Sequence, residues 1–179
     1  MKTEIIGTTR KLAVLLGLFA AASAQAGDAA AQGYIMTVFS DLAHGEEILM
    51  GASGEAIAKL SRDKRSASKQ LEDQINLCVA YAKTNQFDEA IAACDSAIDT
   101  SAKMARRIKR SGLYGRESVR MAATGRAIAL TNRGVLHAIA GERERARELF
   151  ETAVELRSND SAAELNLTYL VNRTTFTKS

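Results

Sequence analysis

Two cysteines and a run of basic residues are the side chains in this 179-residue sequence whose types and spacing could do chemistry. Cys78 and Cys94 stand 16 residues apart. In an oxidising compartment such a pair can form a disulfide, provided the two Cα atoms come within about 7 Å. The closed loop would then contribute on the order of 3 kcal/mol. The alternative is a pair of reduced, small core residues. A zinc site is not expected, because His44 and His137 are far apart in sequence and nothing has metal-ligand spacing. Phosphate loops, nucleophile elbows and paired-carboxylate motifs are absent from the sequence. The expectation is therefore a protein with no catalytic role, no cofactor and no metal.

Charge is placed unevenly. The whole chain carries 24 Lys and Arg against 21 Asp and Glu. Between Lys103 and Arg126, eight basic residues meet one acidic residue, Glu117. Arg106, Arg107, Lys109, Arg110, Arg116 and Arg120 could offer this segment to phosphate groups, anionic lipid or an acidic protein surface. A solvated helix face explains the same pattern. No nucleic-acid partner is expected.

The elements that position these residues follow from the rest of the chain. Lys2, Arg10 and Lys11 precede an apolar run from Leu12 to Ala22, and Ser23-Ala24-Gln25-Ala26 supplies the small residues a signal peptidase accepts. Eleven apolar residues fall short of the roughly 20 that a spanning helix needs. A secretory signal cleaved after Ala26 is therefore expected, with a periplasmic mature protein that has no transmembrane anchor. The complete absence of Pro fits long uninterrupted helices.

An internal repeat sets the fold. From Leu71, apolar residues recur at helical spacing through Leu77, Tyr81, Ala90, Ile91, Cys94, Ala97 and Ile98. From Ala127 the layout returns, with Gly134, His137, Gly141, Ala146, Phe150, Ala153 and Val154 in matching positions. Asn166-Leu167 then stands 34 residues after Asn132-Arg133. Small residues at Gly134, Gly141, Ala146 and Ala153 around a bulky Phe150 resemble the tetratricopeptide repeat, as do Cys78, Tyr81, Ala90, Cys94 and Ala97 in the first unit. The likeness covers roughly 71–173 and lacks the family's opening Trp and closing Pro.

The resemblance implies an all-α stack of antiparallel helix hairpins, an α-solenoid. Its expected parts are a degenerate N-terminal hairpin or cap over 27–70, a first unit over 71–102, a basic helical insertion over 103–126, a second unit over 127–160, and a C-terminal capping helix and tail over 161–179. The insertion should extend both flanking helices around a turn at Ser111 to Gly115. Within 27–70, the apolar residues from Ile35 to Leu49 suggest one helix, and Ser53 caps a second. The resemblance also implies a concave groove. Asn76, Asn132 and Asn166 occupy one equivalent position, which in this family often holds a bound peptide; the alternative is that they tie neighbouring helices together. Around them the groove would present Ile75, Val79, Ala82, Lys83, Ile128, Thr131, Val135, Ile139, Leu165 and Tyr169. Such an apolar wall suits a peptide or helix of an envelope protein, or the protein's own N-terminal segment. The expected function is thus an exported interaction module. The alternative is a binder of anionic lipid or polyanion through 103–126, with possible weak contact to an anionic membrane surface.

Overall fold

In a computed structural model of the chain, the structure describes residues 33–42, 44–62, 67–111, 115–157 and 161–176. The expected signal segment and the tip of the basic turn, 112–114, lie outside the described residues. Seven helices form among those described: α1 Gly45–Leu49, α2 Ser53–Leu60, α3 Ala67–Lys83, α4 Phe87–Ser111, α5 Arg116–Ile139, α6 Arg143–Leu156 and α7 Ser161–Phe176. The all-helical class expected from the sequence is what these residues adopt.

Each helix from α3 onward packs on the next, and α5 also touches α3 and α7. α5 is the hub because its sequence is small-sided. Ala122, Gly125, Ala127, Ala129 and Gly134 are buried with Ile128, Leu130, Val135 and Leu136, so neighbours can close on it from several directions. A Cβ on Gly134 would lie 2.5 Å from the Phe150 ring, which makes the missing side chain the seat of that ring.

The two hairpins α3–α4 and α5–α6 turn in the same way. Asn85 and Gly141 both take positive φ, 59° and 83°. The next N–H then reaches back five residues to the helix carbonyl, Gln86 to Tyr81 and Glu142 to His137, each at 2.9 Å. In the Tyr81 position, buried His137 meets Glu142 through Nδ1 at 2.7 Å. Arg133 pairs with Asp95 across α5 and α4, and Arg143 donates to the Leu170 carbonyl of α7.

Cys78 and Cys94 are joined in a disulfide, with Cα atoms 5.2 Å apart, at the centre of the α3–α4 hairpin. Both are fully buried beside Ala90 and Leu136. The basic stretch is helical as expected: α4 runs on without a break to Ser111, and α5 begins at Arg116.

Two N-terminal expectations are corrected. Residues 34–39 are extended rather than helical, and α1 covers only Gly45–Leu49. The run Tyr34-Ile35-Met36-Thr37-Val38-Phe39 is aromatic and β-branched, which suits an extended chain lying on a surface better than an isolated helical turn. Ser53 is the first residue of α2 and not its cap; Ala52 holds that position without a side-chain cap bond.

Replacing both Cys78 and Cys94 with Ala should cost about 3 kcal/mol, in line with a loop of this length. Thermal unfolding of the variant beside the reduced and oxidised wild type checks this: the double variant should match the reduced protein.

Candidate functional site

The site is built on α3, α5 and α7, whose inner faces lie side by side. Asn76, Asn132 and Asn166 sit one per helix on those faces, each with no solvent exposure. A buried carboxamide must find partners for both its oxygen and its nitrogen. All three find them on the extended segment 34–39, and Asn76 also on Leu42 just beyond it. Ile35 N–H donates to Asn166 Oδ1 at 2.7 Å, and Asn166 Nδ2 donates back to the Ile35 carbonyl at 2.8 Å. Thr37 makes the same exchange with Asn132, at 2.8 Å each way. Phe39 N–H donates to Asn76 Oδ1 at 2.8 Å, and Asn76 Nδ2 donates to the carbonyls of Phe39, 3.1 Å, and Leu42, 3.0 Å.

The result is a ladder of three rungs and a strap that crosses it. Successive rungs fall on every second strap residue, the spacing at which an extended chain presents its N–H and C=O to the same side. The strap therefore runs from α7 through α5 to α3, against the order of the helices in the chain. Because each rung bonds main chain only, the ladder reads conformation and not side-chain identity.

Strap side chains alternate between two flanks. Tyr34 lies edge-on to Tyr169, ring centroids 4.8 Å apart, and stacks on Phe150 at 6.4 Å. Met36 packs against clusters that include Val79, Leu136 and Val135, and Val38 against Ile48 and Val79. On the other flank Phe39 packs on the cluster of Leu71, Ile75, Ala97, Ile128 and Ala129.

The strap does not fill the groove. Beside Tyr34, Met36 and Val38 remains a solvent-open pocket of about 320 Å³, walled by Val79, Ala82, Val135, Ile139, Phe87 and Leu49, with Asn85 as a polar neighbour. Lys83 is its one charged lining residue; its Nζ donates to the Ile48 carbonyl at 3.0 Å. Leu49, which lines the pocket, is 57% exposed.

The expected groove residues thus divide into groups. Asn76, Asn132 and Asn166 hold the strap; Val79, Ala82, Lys83, Val135 and Ile139 line the cavity; Tyr169 anchors Tyr34. Ile75, Ile128 and Thr131 are buried in the helical body, Thr131 bonding the Ala127 carbonyl at 2.9 Å, while Leu165 is exposed. The sequence offered the protein's own N-terminal segment as one occupant of the groove, and residues 34–39 take that place; sequence reasoning did not single them out or expect them to be extended. The signal available was the aromatic and β-branched run at 34–39.

The basic residues form a separate surface. Arg106, Arg107, Lys109, Arg110 and Arg116 are all exposed toward the far ends of α4 and α5. Arg120 is tied to Glu117 by two hydrogen bonds, 2.8 and 3.1 Å, and this bond and charge hold the Glu117 carboxyl below its ordinary pKa. Among the described residues no cluster of His, Cys, Asp and Glu could hold a metal ion, and no helix is long and apolar enough to cross a membrane.

Compared with known proteins, the chain matches no protein-family model, no curated protein and no solved structure.

Changing Asn132 to Ala removes the central rung and strands the Thr37 N–H and C=O, at a cost of about 2 kcal/mol, or roughly 4 to 8 °C in Tm. Asn132→Asp keeps the acceptor but turns its other oxygen on the Thr37 carbonyl. Its carboxyl should titrate above the unfolded value, so this variant gains stability as pH falls through the folded pKa, relative to Asn132→Ala. Thermal melts of both variants from pH 4 to 8 check the rung and its polarity.

Proposed function

We propose that this protein is an exported interaction module of the tetratricopeptide type, which holds an extended segment of an envelope protein along its ladder of asparagines. The observation that carries the reading is the pairing of Asn76, Asn132 and Asn166 with alternate main-chain units of the strap. A face that grips backbone at three points is built to hold polypeptide, and a ladder indifferent to side chains accepts a second chain on the same terms. Two similar hairpin turns, 56 residues apart, support the repeat reading. The signal-like N-terminus and the buried disulfide support export to an oxidising compartment. An extended partner fits this ladder better than a helical one, because a helix has already used its main-chain groups.

A second reading has its own support. Five exposed cations at the ends of α4 and α5 suit an anionic lipid surface or polyanion.

Photo-crosslinking separates the two. With a photoreactive residue at Leu49, beside the cavity, the exported full-length chain should give a protein adduct that is lost when Ile139→Glu is added. Adducts only from a probe at Arg107, abolished by high salt, would instead place the working surface on the basic end.

A further inference from the structure

The strap's backbone is bonded at every rung, while its side chains cover only part of the groove beside them. All three rungs are complete, yet a solvent-open pocket of about 320 Å³, with mostly apolar side chains on its walls, is left beside Tyr34, Met36 and Val38. Empty apolar space next to a bound side chain forfeits contacts that a larger group would make. Tyr34 borders the same pocket but already meets two rings, Tyr169 and Phe150.

We infer that the strap is an undersized stand-in for a partner segment, and that the groove selects an extended peptide running in the strap's direction, with an aromatic residue first and larger apolar residues at the third and fifth positions. This rests on the groove reading above and names its ligand. Rungs at alternate residues fix the register, so side chains at the positions of Tyr34, Met36 and Val38 must all fall on the cavity flank. The partner then gains the burial that Met36 and Val38 leave unused, and this surplus lets it displace a segment that is always present. Exposed Lys83, at the cavity and bonded only to a carbonyl, favours a partner with an acidic residue beside its fifth position.

The full-length chain provides the test. Thr37→Pro deletes the N–H given to Asn132 and loosens the strap without touching the groove. A labelled peptide of sequence 33–42 should bind this variant at least tenfold more tightly than wild type. The same peptide carrying Met36→Phe and Val38→Phe should bind about tenfold more tightly again, as burial of extra ring surface predicts. A peptide of reversed sequence should not compete. Within the chain, Val38→Phe should raise Tm by filling the cavity. The inference is overturned if Thr37→Pro keeps its helical circular dichroism and binds no peptide, or if the enlarged peptide and Val38→Phe bring no gain. A partner cross-linked at Leu49 that the strap peptide cannot displace would leave the groove reading in place and overturn this inference alone.

Discussion

Three buried carboxamides that must be hydrogen-bonded are the constraint on which the rest of the arrangement depends. Asn76, Asn132 and Asn166 have no exposure, so each must satisfy an acceptor and a donor without water. They sit on helix faces where nearly all backbone groups are already bonded within the helix. An extended chain supplies the missing partners, because it has spent none of its N–H and C=O groups. Strap and ladder therefore solve one another's problem: the strap covers the asparagines, and the asparagines satisfy a backbone that would otherwise lie unpaired on an apolar surface.

Holding the ladder in line is the task of the helical body. α5 carries the middle rung and is small-sided enough to be approached by α3, α4, α6 and α7 together. The missing Gly134 side chain seats Phe150, which in turn stacks under Tyr34, so packing deep between α5 and α6 reaches the strap's first residue. The disulfide pins α3 to α4 two residues from Asn76 on α3, which fixes the third rung relative to the hairpin behind it. The arginine-bearing ends of α4 and α5 take no part in this and leave the molecule with one apolar, backbone-gripping side and one cationic end.

Much of this was legible because it depends on spacing along helices. The hairpins, their turns at Asn85 and Gly141, the inward pairing of Cys78 with Cys94 and the equivalence of the three asparagines all follow from periodic placement of small and apolar residues. The strap was not legible for the same reason. Ile35, Val38, Phe39 and Leu42 also match a helical stripe, and nothing local tells the chain to be extended. That choice is made by partners 37, 95 and 131 residues away, a tertiary override of local pattern. Which of Ile75, Val79, Ile128 and Val135 would be core and which would border a cavity was equally hidden, since an apolar residue on an inner face serves either end.

The central claim is that the ladder bonds every second residue of the strap. Among the described residues, Met36 and Val38 have no main-chain hydrogen-bond partner, whereas Ile35, Thr37 and Phe39 each donate to an asparagine. Residue-resolved amide hydrogen exchange reads this directly. Slow exchange at Ile35, Thr37 and Phe39 alternating with fast exchange at Met36 and Val38 is the predicted result. Fast exchange at all five would mean that the asparagines do not hold the strap, and would contradict the account at its root.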